Sequence, residues 1–163
     1  MQQSGRVAIA TEADIDAVWD VVRNVTRVGE WSHECVSASW LGGARSATPG
    51  ARFRGRNRAH IFRWGRICEV VAADPYELVW RTVPSTLYPD SCEWRITLDE
   101  HDSCTVIEQS FETIRAPKVF VLLYGLIIPA HRDRTAALTD DLRRLGHVAR
   151  HSATGHQVPT STM

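Results

Sequence analysis

The stretch Ala116–Gly146 constrains this chain more than any other. It opens Ala-Pro-Lys-Val-Phe-Val-Leu-Leu-Tyr-Gly-Leu-Ile-Ile-Pro-Ala-His and runs on through Leu138, Leu142 and Leu145. Pro117 suits a first helical turn, where the amide it lacks would have no partner. Gly146 follows Arg143 and Arg144, as the end of a helix prefers. The pattern therefore predicts one helix of about thirty residues, long for a globular domain. Its two halves differ. Val119–Ile128 is apolar on nearly every side, whereas the second half carries a single stripe through His131, Thr135, Leu138, Leu142 and Leu145. A stripe covers a core on one face, but an all-round apolar half needs cover on several sides. Pro129 predicts a bend against Gly125, because its ring meets the carbonyl four residues back. Something must wrap this helix, and what precedes it reads as strands.

Arg6–Ala10 is a short apolar run that predicts a first strand. Thr11 is expected to cap a helix, with Asp14 as an acidic variant of the capping box. Ile15, Val18, Trp19, Val22 and Val25 then fall at helical spacing. Thr26 restarts the chain into a second short helix that carries Val28 and Trp31. From Cys35 the period changes to two. Val36–Leu41, Ala51–Ala59, Ile61–Val71, Glu77–Val83, Ser91–Leu98 and Thr105–Thr113 read as six strands, separated by Gly-, Pro- and Asp-containing loops. Hairpin-length loops argue for an antiparallel meander with one wet face and one dry face. There is no internal repeat. The expected layout is a single domain over residues 1–146 and a polar, mobile tail over residues 147–163.

Several short segments also carry a resemblance. Asp16-Ala-Val-Trp19, Gly29-Glu-Trp31, Gly50-Ala-Arg-Phe53, the Val70…Asp74-Pro75…Trp80 segment and Ser103-Cys-Thr-Val106 resemble the START-related, polyketide-cyclase/dehydrase group, the SRPBCC superfamily. The match runs in order and spacing over residues 6–146. It implies an α+β helix-grip fold of the order β-α-α-β6-α. In that fold a curved antiparallel sheet of about seven strands wraps a long C-terminal helix around a cavity used for hydrophobic ligands. It implies no shared catalytic residue set.

Composition narrows the partners. The formal net charge is zero, which removes the electrostatic case for nucleic acid or an anionic membrane. The row Arg52, Arg54, Arg56 and Arg58 then reads as the solvated face of a strand, with Glu108 and Glu112 as possible cross-strand neighbours. The ten residues Val119–Ile128 are too few to span a bilayer, so no stable membrane insertion is expected. Cys35, Cys68, Cys92 and Cys104 are spread without a C-x-x-C pair, so small buried thiols are expected rather than a metal site or disulfides. With no secretory pattern at the start, a reducing cytoplasm is the expected home. No cofactor is implied.

If the apolar residues of each strand face inward, Phe53 and Asn57 share the inner face with Leu78, Trp80 and Thr82. Trp94, Ile96 and Leu98 join them, as do Ile107, Gln109 and Phe111. The strand containing Trp64 and Arg66 is less decisive. The helix would add Phe120, Leu123, Tyr124, Ile127 and His131. Such aromatics either fill a core or line a small-molecule site. Asn57, Gln109 and Arg66 are more informative, because burying them unpaired costs roughly 1–3 kcal/mol. The candidates for proton transfer are His131, Tyr124 and Arg66, with a surface location as the ordinary reading of His131. The run Trp31-Ser-His-Glu-Cys35 places Ser32, His33, Glu34 and Cys35 side by side, but a triad needs convergence from separated positions. It is read as a loop at a cavity mouth, anchored by Trp31.

Three functions remain. The first is a carrier or sensor of a lipid, polyketide-like or other hydrophobic small molecule, acting as a monomer or homodimer. The second is an enzyme of the aromatase/cyclase kind. The third is a protein-interaction module in which the apolar half-helix pairs with another chain.

Overall fold

The computed structural model describes residues 2–117 and 133–154. Strand β1 (Ser4–Thr11) leads into helix α1 (Ile15–Val22) and a 3₁₀ turn (Val25–Glu30). Six strands follow: β2 (Cys35–Trp40), β3 (Arg52–Ala59), β4 (Phe62–Asp74), β5 (Glu77–Thr82), β6 (Ser91–His101) and β7 (Cys104–Arg115). Helix α2 (Thr135–Thr154) closes the described chain. The strands form one seven-stranded antiparallel sheet in the order β1-β7-β6-β5-β4-β3-β2. The two helical pieces after β1 carry the chain across the sheet, so β2 starts at the opposite edge and β1 is left to pair with β7.

Period-two patterning becomes curvature through local irregularities. Pairing slips by one residue at Cys35/Ser37, Val70/Ala72 and Ser91/Cys92. Each extra residue bends its strand and increases the local twist. The hairpins are tight. Asp102 and Ser103 both take positive φ (46° and 68°) between His101 and Cys104, as a two-residue hairpin of this hand requires.

The caps differ from those expected at the sequence level. Asp14, not Thr11, caps α1, its carboxylate accepting from the amides of Asp16 (2.9 Å) and Ala17 (3.3 Å). A carboxylate one residue before the helix reaches amides that a hydroxyl four residues before it does not. The arginine row is exposed as expected, but its partner is Glu69, 2.7 Å from Arg52 on neighbouring β4. Glu108 cannot serve, because β7 does not neighbour β3 in the sheet; it pairs with Arg6 instead.

Helix α2 buries Leu138, Leu142, Leu145 and Ala149, a 3.6-period stripe that packs on α1 and β1. It corrects the expected long helix at both ends. Asp133 and Arg134 are not helical; the Asp133 carboxylate accepts from the Thr135 amide at 2.9 Å and starts the helix there. Nor does the helix end at Gly146, since it runs to Thr154 with Ala149 fully buried. Gly146 is instead a close-packing site: a Cβ there would lie 2.7 Å from Thr11 Oγ1 and 3.0 Å from Thr11 Cβ. The absent side chain lets α2 cross the end of β1. The apolar half Val119–Ile128 lies outside the described residues, and with it Gly125, Pro129 and the proposed interaction surface.

This packing sets two stability outcomes. In a helix interior, Gly→Ala normally helps by about 0.5–1 kcal/mol. Here overpacking against Thr11 outweighs that gain, so Gly146→Ala lowers stability by about 1–3 kcal/mol, several degrees in melting temperature. A variant truncated after Gly146 loses the buried Ala149 and the Arg27–Ser152 hydrogen bond. Its melting temperature falls in thermal denaturation; an unchanged value would mean the last turns of α2 carry no packing energy.

Candidate functional site

The concave face of the sheet encloses a cavity of about 200 Å³. Its back wall is an aromatic stripe running across three strands. Trp80 on β5 pairs with Trp94 on β6, and Trp94 pairs with Phe111 on β7. The two indoles stack nearly parallel, 6.2 Å apart and 8° from coplanar, and Trp94 meets Phe111 at 5.0 Å. Directly paired residues point to one face, so the alternation that places one ring inward places all three. Phe53 and Asn57 of β3 and Trp64 and Arg66 of β4 line the other side, which settles the orientation of the ambiguous strand. Leu98 and Ile107 share the inner face but are buried in the core rather than lining the cavity. Phe120, Leu123, Tyr124, Ile127 and His131 lie outside the described residues.

The polar groups on these walls divide into paired and unpaired. Arg66 is not available for proton handling. Its guanidinium holds both oxygens of Asp90 (3.0 and 2.8 Å) and the Asp90 carbonyl (2.9 Å), and sits 5.3 Å from the Tyr88 ring centroid. A bidentate, largely buried arginine fixes the wall. Two other atoms are buried with no hydrogen-bond partner among the described residues: Nε1 of Trp31, a donor, and Oε1 of Gln109, an acceptor. Both side chains line the cavity. A buried polar atom left without a partner costs about 1–3 kcal/mol, which a bound group with the complementary function would relieve.

The loop 31–35, also on the cavity lining, meets α2. The Asp141 carboxylate, only 3% exposed, accepts from the His33 amide (2.8 Å) and from His33 Nδ1–H (2.6 Å). Arg144 lies 2.5 Å from the same carboxylate. Glu34 pairs with Arg134 at 3.3 Å, and the Arg134 guanidinium lies 5.4 Å from the centroid of Trp94 and 5.6 Å from that of Phe111. The hydrogen bond to Asp141 raises the His33 pKa above its usual 6.5; burial opposes this and the nearby carboxylates reinforce it. Burial pushes the Cys35 thiol up to about 11 and those of Cys68 and Cys92 to about 12, so all three are unreactive thiols. Sequence reasoning missed this cluster because its acid lies over a hundred residues from its histidine. One signal was present: Asp141 sits within the apolar stripe of α2, between Leu138 and Leu142.

Among the described residues, no group of three or more His, Cys, Asp or Glu could hold a metal ion, and no helix is long and apolar enough to cross a membrane.

A curved antiparallel sheet with a C-terminal helix across it and an aromatic-lined cavity beneath defines a helix-grip protein. The chain belongs to the polyketide cyclase/dehydrase and lipid transport family, whose model matches residues 2–145. No protein of curated function matches it in sequence. Solved structures share the fold at low identity. The protein TTHA0849 from Thermus thermophilus superposes with a TM-score of 0.70 at 12% identity, covering 92% of this chain and 99% of that one. The ginseng major latex-like protein 151 from Panax ginseng gives 0.60 at 13% identity, over 90% and 97% of the two chains. DynU16, from the dynemicin biosynthetic locus, gives 0.58 at 21% identity; 95% of this chain is covered, but the match spans only 49% of DynU16.

The His33–Asp141 pair makes stability depend on pH. A histidine whose pKa is raised by folding contributes fully below its unfolded value of 6.5, and that contribution is lost as pH rises through the folded value. Denaturant titrations from about pH 5.5 to about pH 8.5 therefore show wild type losing stability relative to His33→Gln as pH increases. Parallel curves would show that the pair is not coupled to folding.

Proposed function

We propose that this chain is a carrier or sensor that binds a flat, largely apolar small molecule against the Trp80–Trp94–Phe111 wall. The ligand's oxygen accepts from Trp31 Nε1–H, and a hydroxyl or amine of the ligand donates to Gln109 Oε1. The observation that carries this reading is the pair of buried, unpartnered atoms in two side chains that line the cavity beside the stacked aromatics. An apolar void alone would accept any greasy guest, whereas one donor and one acceptor select hydroxylated aromatic ketones and lipids of similar polarity. Membership of a family described by polyketide cyclisation and lipid transport supports the same class of ligand. The partner in this reading is a small molecule met in the cytoplasm, bound by a monomer or homodimer without nucleic acid or stable membrane insertion. An enzyme of the aromatase/cyclase kind is favoured by one separate observation, the His33–Asp141 pair at the cavity.

Calorimetric titration tests the binding. Hydroxyfluorenone binds at one site per chain and more tightly than fluorene, which has the same rings without the oxygens. Trp31→Phe and Gln109→Leu each weaken hydroxyfluorenone by about fivefold, the equivalent of about 1 kcal/mol, and leave fluorene nearly unchanged. Equal affinity for the two compounds, or no saturable heat for either, would contradict the assignment.

A further inference from the structure

We propose that His33, oriented by Asp141, is a general acid–base that exchanges a proton with an activated C–H or O–H of the molecule held in the cavity. The inference rests on the binding reading above and adds chemistry to it.

Three features of the geometry carry it. The pair assembles from separated parts of the chain, a loop after the 3₁₀ turn and the middle of α2. Convergence of that kind distinguishes a built arrangement from a sequence coincidence. The acid is itself fixed: Asp141 is buried and holds the His33 amide, the His33 ring and Arg144 simultaneously. With Nδ1–H committed to the carboxylate, the neutral ring presents its lone pair at Nε2, for which no partner exists among the described residues. Finally, His33 and Asp141 line the same cavity as the stacked tryptophans, with the His33 side chain 31% exposed.

Charges facing the ring come from both packed elements. Asp141 and Arg144 approach from α2, Arg134 from just before it, and Glu34 from the loop itself; Cys35 is a neutral thiol. Asp141 and Glu34 favour the protonated ring, while Arg134 and burial oppose it. The hydrogen bond to Asp141 is the largest of these effects and raises the ring's pKa, favouring the imidazolium that returns the proton.

The proposed step is balanced without a further reactant. The Nε2 lone pair takes the proton from a carbon next to a ligand carbonyl, and the C–H electron pair moves to the carbonyl oxygen. The resulting imidazolium, charge-matched by Asp141, returns the proton at the same or another atom. A clamp between loop and helix would need the Nδ1 contact but would not need the pair to line a cavity.

Nitrobenzisoxazole is a flat probe that reports such a base without knowledge of the native ligand. Removal of its ring C–H proton forms a nitrile as the N–O bond breaks, releasing a coloured phenolate. The full-length protein is expected to open it about a hundredfold faster than an equal concentration of free imidazole. The rate should rise with pH through the titration of His33, and hydroxyfluorenone should inhibit competitively. His33→Gln abolishes the acceleration. Asp141→Asn lowers it and moves the pH midpoint down, whereas His60→Gln, at an exposed turn, changes nothing. Folding of each variant is checked by its melting curve and by hydroxyfluorenone binding, and the wild-type pH profile decides even if a variant fails to fold. Binding of hydroxyfluorenone without acceleration, or acceleration that persists in folded His33→Gln, would overturn the inference and leave the carrier reading intact. Acceleration dependent on His33 without hydroxyfluorenone binding would overturn the carrier reading instead.

Discussion

A sheet bent on itself cannot fill its own concavity, and that constraint organises this molecule. The three register slips curl seven strands around a hollow. Side chains pointing into the hollow have no opposing sheet to pack against. Helix α2 covers part of it through Leu138, Leu142, Leu145 and Ala149, and α1 packs beside it through Val18, Val21 and Val22. Elsewhere the inward residues are large and flat, and among the described residues they meet each other sideways across the strands. The remaining space is thus a consequence of curvature, and the aromatic wall lines it.

The polar groups gain their meaning from the same geometry. On a solvated face, an indole N–H or a carboxamide oxygen finds water at little cost. Buried within side chains that line the hollow, Trp31 Nε1 and Gln109 Oε1 keep a demand for a partner. Arg66 shows the contrast, since Asp90 satisfies it so fully that it serves as scaffold. His33 stands between these cases: one ring nitrogen is satisfied and the other is left for chemistry. One cavity is therefore lined by an aromatic wall, two side chains with unpartnered polar atoms and a histidine oriented by a buried carboxylate.

Much of this was legible in the residues before any coordinates. Alternation along Phe53–Asn57, Leu78–Thr82, Trp94–Leu98 and Ile107–Phe111 put the right side chains on the inner face, because period-two patterning is a local property. The two short helical pieces after the first strand were legible too, although no local pattern reported which sheet edge β2 would join. Less legible were effects of close approach. Gly146 follows two arginines and reads as a helix terminator, yet its lack of a side chain serves the crossing over Thr11. The continuation to Thr154 was hidden by the polar residues His147, Arg150 and His151, since only Val148 and Ala149 mark the packed face there. Least legible was the His33–Asp141 contact, because no local pattern reports which helix a loop will touch.

The central claim is that ligands enter the hollow beneath the curved sheet and meet Trp31 there. The six tryptophans make this directly observable. Trp31, Trp64, Trp80 and Trp94 line the cavity, whereas Trp19 and Trp40 do not. Proton–nitrogen correlation spectra of the indole groups, recorded while hydroxyfluorenone is added, separate the two sets. Saturable shifts of the four cavity indoles are predicted, with Trp31 moving downfield as its N–H gains an acceptor and Trp19 and Trp40 staying in place. Shifts confined to Trp19 or Trp40, or a Trp31 signal indifferent to the ligand's oxygen, would contradict the account.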